Sequence, residues 1–117
     1  MSSHQATRNK KKGAQWESAL VAWLQTHGFP RADRCHLSGK DDIGDVTLTD
    51  RDDDRWTVEA KDCAQWSLGV WWAEAEREAI NRGDVHKIVV IRRRGSTDPG
   101  KAWVVMSLED WALEHRP

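Results

Sequence analysis

Tyrosine is absent from this 117-residue chain, phenylalanine occurs once and cysteine only twice. Cys35 and Cys63 stand alone, without CxxC spacing or a paired histidine, which argues against a structural zinc. Two isolated thiols fit a reduced cytosolic protein better than a disulfide framework, although a Cys35–Cys63 bridge stays open at this level. No apolar run approaches the roughly 20 residues of a membrane span, and no apolar core follows the basic N-terminus to make a signal peptide. No internal repeat is visible. The length sets one domain with a modest core, expected over residues 12–117 behind a flexible basic tail at 1–11.

Net charge is also nearly missing, at −1, but the total hides segregation. Arg8, Lys10, Lys11 and Lys12 form one basic run and Arg92, Arg93 and Arg94 another. Between them lies an acidic stretch with Asp41, Asp42, Asp45, Asp50, Asp52, Asp53 and Asp54. A near-neutral total therefore leaves nucleic acid open as a partner, because the local field governs docking. What the chain has in excess is tryptophan, with eight residues, most of which read as core filling.

Periodicity predicts a helix from about Lys12, with Trp16, Ala19, Leu20, Trp23 and Leu24 on one buried face and Gly28 ending it. Glu17 lies at the margin of that apolar stripe. A short strand over 31–37 and a loop at 38–42 follow. Then come strands at 43–49 and 56–61 across the polar turn at 50–54. Ser67 reads as the N-cap of a helix running to Arg82, with Leu68, Trp72, Ala75, Ala79 and Ile80 inward and Trp71 towards the polar side near Glu74 and Glu78. Trp71 is then a dimer contact, a base-stacking platform or a residue buried under a loop. Strands at 87–92 and 102–106 precede a capping box at Ser107–Asp110 that opens a terminal helix. The order αβββαββα is an α/β domain with a mixed central sheet flanked by helices.

The chemistry concentrates at Gly44-Asp45-Val46 and, across one hairpin, Val58-Glu59-Ala60-Lys61. Asp45 and Glu59 can face each other on neighbouring strands, and period-2 geometry puts Lys61 on the face of Glu59. Two carboxylates, the Ala60 carbonyl and Glu17 as an auxiliary make an oxygen-rich site for Mg²⁺ or Mn²⁺. Lys61 would stabilise transition-state charge or position the attacking water. The plainer reading is a turn residue at Asp45 with an exposed Glu59–Lys61 pair. The half-buried strand, Gly44 and the placement of Glu17 favour the metal site. Asp41 and Asp42 compete with Asp45 as ligands, and Asp45 is preferred because it begins the strand.

These pieces resemble the PD-(D/E)XK nuclease superfamily, and within it the small Holliday junction resolvases of archaea and phages. Lys12-Gly13 with Glu17, Gly28-Phe29, Arg34, Ser38-Gly39, Gly44-Asp45 and Glu59-Ala60-Lys61 carry the resemblance. Gly44 stands where the family often has proline. The resemblance implies a restriction-endonuclease-like core, with Asp45 and Glu59 as metal ligands, Lys61 as the catalytic lysine and Glu17 as auxiliary ligand. It places Ser38 near the scissile phosphate. It also implies a homodimer that uses Mg²⁺ or Mn²⁺ to nick four-way DNA junctions in the cytoplasm of a bacterial or phage-infected cell.

Lys10, Lys11, Lys12, Arg31, Arg34 and Lys40 are candidates to neutralise DNA phosphates beside the site, Arg34 and Lys40 foremost. Arg92 to Arg94 face either DNA or water. His36 and His86 read as structural more than as acid–base groups.

Overall fold

A computed structural model of the chain describes residues 3–35 and 45–117, residues 3–10 by their backbone alone. The elements are α1 (Ser3–Thr26), β1 (Asp33–Arg34), β2 (Val46–Thr49), β3 (Arg55–Lys61), α2 (Leu68–Arg82), β4 (His86–Ile91), β5 (Trp103–Val105) and α3 (Leu108–His115). A 3-10 turn at Pro99–Lys101 precedes β5. The αβββαββα order is the expected one. The sheet runs β1-β2-β3-β4-β5, with only β3 and β4 parallel among the pairs. A parallel pair needs a long crossover, and α2 supplies it.

Helix α1 begins at Ser3, earlier than the expected Lys12. Residues 3–10 contain no glycine or proline, and Gln5, Ala6, Arg8 and Lys10 are good helix formers. Once the downstream turns are docked, each further residue adds a hydrogen bond without a new nucleus. The docked face is Trp16, Leu20 and Val21, with Leu24 partly buried, against Val46, Leu48, Val58 and Val90. Ala19, expected inward, is exposed, and Val21 takes its place. Gly28, at a φ of 106°, ends the helix in a conformation that disfavours a Cβ.

Helix α2 covers the opposite face, and its rotation differs from the expected one. Trp71, Ala75, Glu78 and Ala79 are buried, whereas Leu68 and Ile80 are exposed and Trp72 is only half-buried. Trp71 packs with Val89 and Ile91, so it belongs to the core and is not a free stacking platform. The cause is polar. Arg82 donates to Thr47 Oγ1 at 2.7 Å, Asp84 Oδ2 at 2.7 Å and Cys35 Sγ at 3.1 Å. Asp84 in turn accepts from Thr57 Oγ1 at 2.9 Å. These bonds fix the rotation of α2 at its C-terminal end, where Gly83 adopts the left-handed cap.

Ser67 stands before α2 as expected but makes no side-chain cap bond. Ser107 Oγ does accept from the Asp110 N–H at 3.1 Å, opening α3. Both cysteines are free thiols. Among the described residues no helix is long and apolar enough to cross a membrane.

Candidate active site

Antiparallel register pairs Val46 with Val58, which sets Asp45 one step further along, beside Glu59. The Asp45 backbone is held on both sides: its N–H donates to the Val58 carbonyl at 3.2 Å, and its own carbonyl accepts from Cys35 N–H at 2.9 Å. Its carboxylate accepts from the Ala60 N–H at 2.9 Å. The aspartate is thereby anchored at the end of the β2–β3 ladder.

Along β3 the side chains alternate. Val58 and Ala60 join the α1 core, and Glu59 and Lys61 face α2. Glu59 is only 4 % exposed, and its Oε2 has no hydrogen-bond partner among the described residues. Burial first, then the adjoining Asp45 and Glu78 carboxyls, push the Glu59 carboxyl up to about 12. Lys61 Nζ lies 2.9 Å from Glu74 Oε2, 3.6 Å from Glu59 Oε1 and 5.7 Å above the centre of the Trp71 ring. Burial works to lower the lysine, but its bond to Glu74 and the charges of Glu59, Glu74 and Asp45 outweigh it and hold Lys61 above its ordinary value. Lys61 is therefore a firm cation at neutral pH.

Glu17 approaches from α1 and pairs with Arg34 at 3.4 Å. Burial, and after it the charge of Asp45, raise its carboxyl, with Arg34 acting in the other direction. Asp45, Glu59 and Lys61 thus meet at one end of the sheet, and Glu17 on α1 lies near enough to feel the Asp45 charge. The donor set is all oxygen and includes a buried carboxylate oxygen without a hydrogen-bond donor, which suits a hard divalent cation.

Two carboxylates were missed in the sequence. Glu74 and Glu78 lie on the inward face of α2, and one oxygen from each falls within 4.8 Å of the other and of Glu59. Trp71, Glu74 and Glu78 recur at i, i+3 and i+7, which is a one-face helical stripe. That spacing was the available signal, and the charge of the glutamates disguised it.

The basic candidates divide. Lys12 Nζ is 3.5 Å and Arg92 Nη1 3.4 Å from Asp62, which follows Lys61 directly. The Arg92 N–H also donates to the Lys61 carbonyl at 2.9 Å. Lys12, Gly13, Ala60, Lys61 and Asp62 line an open cleft there. Arg34 reaches the site through Glu17, and Lys11 is exposed on α1. Arg31 is not brought to the site: it pairs with Asp53 in the turn at the far end of the hairpin. Arg93 lies over the Trp103 ring at 4.7 Å, and Arg94 is exposed. The Lys10 side chain, Ser38, Lys40, Asp41 and Asp42 fall outside the described residues, as does His36. His86 is remote, at the other end of β4, stacked on Trp56 and held between Asp54 at 3.2 Å and Glu114 at 2.6 Å.

Comparison with solved structures gives the fold a relative. Hjc of Archaeoglobus fulgidus, a Holliday junction resolvase from an archaeal hyperthermophile, superposes with a TM-score of 0.56, covering 86 % of this chain and 93 % of its own at 15 % identity. In fold the chain resembles this small archaeal resolvase. No protein-family model and no curated protein sequence matches it. The likeness therefore lies in the three-dimensional arrangement, with the five-stranded mixed sheet and its helices matched almost end to end.

Proposed function

We propose that the protein is a divalent-cation-dependent endonuclease that hydrolyses DNA phosphodiesters, with four-way junctions as its substrate. The observation that carries this reading is the meeting of Asp45, Glu59 and Lys61 at one sheet end, with a Glu59 oxygen buried and unpartnered. Asp45 and Glu59 would hold Mg²⁺ or Mn²⁺ together with the Ala60 carbonyl, and a third carboxylate, Glu17 by the family resemblance, would complete the set. The cation, when bound, neutralises charge on the phosphate and makes water nucleophilic near neutral pH.

The protein's own groups do the rest. The Ala60 N–H holds one oxygen of the Asp45 carboxylate and so orients the group beside Glu59. Lys61, kept protonated by its acidic neighbours, offers an ammonium to the charge that develops on the phosphate. Ser38 sits near the scissile phosphate, as the resemblance implies. Lys12 and Arg92, both beside Asp62, neutralise flanking phosphates with Lys11 and Arg34, and the sequence adds Lys10 and Lys40 as candidates for the same role. Arg31 contributes to it least, being committed to Asp53.

Resolution of a junction requires paired incisions, so the working unit is a homodimer. Exposed apolar side chains on β5 and α3, among them Trp103, Val104 and Trp111, offer a surface for it. Localisation in the cytoplasm of a bacterial or phage-infected cell belongs to the same reading.

The test is to incubate the protein with a labelled four-way junction, a linear duplex and a single strand, each with Mg²⁺ or with chelator. Cleavage of the junction only with the cation, and its loss in Asp45→Asn and Lys61→Ala, is the expected outcome. Equal cutting of the duplex would make it a nicking or duplex nuclease on the same fold. A junction bound but uncut under every metal condition would leave a non-catalytic DNA-binding module.

A further inference from the structure

We infer that the third carboxylate of the cation site comes from α2, through Glu78 with Glu74 beside it, and not from Glu17 on α1. The inference builds on the reading of Asp45 and Glu59 as cation ligands and names the element that completes their set.

Four observations carry it. One oxygen from each of Glu59, Glu74 and Glu78 lies within 4.8 Å of the other two, close enough to share one ion. Glu59 and Glu78 are each 4 % exposed, so water offers little solvation to either carboxylate. The buried Glu59 Oε2 finds no hydrogen-bond donor among the described residues, its side chain adjoining the Asp45 and Glu78 carboxyls. A buried carboxylate oxygen in that condition costs free energy that a cation would offset. Glu17, by contrast, already has Arg34 at 3.4 Å, and like Asp45 it stands outside the three-carboxylate group.

Helical geometry makes the assignment self-consistent. Glu74 and Glu78 are spaced i, i+4 and therefore share one face of α2. Arg82, one turn further, locks that face against the sheet through Thr47 and Asp84. The cation would thus be gripped between a strand and a helix that are rigidly joined. Glu74 also holds Lys61 at 2.9 Å, so the same carboxylate would serve both the ammonium and the ion.

The experiment measures Mn²⁺ binding to the full chain without DNA, from the loss of the free-ion signal in electron paramagnetic resonance. Glu78→Gln should weaken binding about tenfold or more, Glu74→Gln by less, and Glu17→Gln by no more than about threefold. Circular dichroism confirms that each variant is folded. Should Glu78→Gln fail to fold, the more exposed Glu74→Gln decides in the same direction. Wild-type affinity in Glu78→Gln overturns the inference, and would mean that Glu59 and Glu78 share a proton instead of an ion. A larger loss in Glu17→Gln than in Glu78→Gln overturns it as well. Asp45→Asn keeps the two readings separate. If it abolishes binding while Glu78→Gln does not, only the role of α2 is lost. If wild type binds no Mn²⁺ at all, the nuclease reading falls with it.

Discussion

The two faces of the sheet are built from different materials. Under α1, Trp16, Leu20 and Val21 meet Val46, Leu48, Val58 and Val90, all apolar or aromatic side chains. Under α2, Trp71 and Ala75 meet Val89 and Ile91 over only part of the face. The remainder is Glu78 over Glu59 and Arg82 over Thr47 and Asp84. The same five strands thus carry a face that binds the chain together and a face whose burial is charged. A buried charge contributes little net stability and often subtracts from it. The α1 face supports the cost of the α2 face.

Substitutions on the two faces should therefore have opposite signatures. The largest effect is expected at Lys61→Ala: a loss of about 10²–10³ in the cleavage rate, as for removal of one preorganised charge-stabilising group. Its unfolding midpoint in urea should barely fall, and a collapse in stability of the same size would refute the separation. Leu20→Ala, on the other face, should cost about 3 kcal/mol in urea unfolding, while the surviving folded fraction cleaves at the parent rate. A buried ion network behaves differently again. Arg82→Ala removes one partner of Asp84 but leaves Arg55 at 3.0 Å, so the expected cost is about 2–3 kcal/mol, at or below the usual range for a broken buried pair. Its further signature is weaker Mn²⁺ binding, because α2 loses its lock.

Acidity sharpens the comparison. The Glu59 carboxyl in the fold is pushed up to about 12 from 4.5, so below 4.5 both folded and unfolded states carry the proton. As pH rises, the unfolded chain releases it while the fold retains it, and stability falls across that interval. Glu17, also raised, acts with the same sign. Urea midpoints of the cation-free protein should therefore decline from about pH 5 to about pH 9. Glu59→Gln should flatten the decline and exceed the parent at the alkaline end, while on the proposed nuclease reading it should also lose cleavage. Identical slopes in parent and variant would dismiss this account. The smallest effect lies away from both faces: Ser107→Ala should cost about 1 kcal/mol through loss of the α3 cap.

Much of this was legible in the chain, and the failures have two causes. Strands β2 and β3, the hairpin between them and the Asp45–Glu59–Lys61 group follow from alternation and turn chemistry, which are local. The buried side of α2 does not. Leu68, Trp72 and Ile80 draw the apolar stripe to one side, yet the helix turns Trp71, Glu74 and Glu78 inward. What decides is a set of hydrogen bonds from Arg82 to Thr47 and Cys35, across 35 and 47 positions of sequence. No local periodicity encodes partners so distant. The start of α1 fails for a gentler reason, since polar residues without breakers extend a docked helix as readily as they form a tail.

The place of β3 in the sheet has a kinetic meaning. It is the middle strand, paired on both sides, with β2 antiparallel and β4 parallel. Its amides should be among the last to exchange with deuterium, because freeing them requires both neighbours to part. Glu59 and Lys61 therefore ride on the segment least reached by local opening. Partial fraying at β1 or α3 would leave their relative positions intact, so a population of partly open molecules could still hold a competent site.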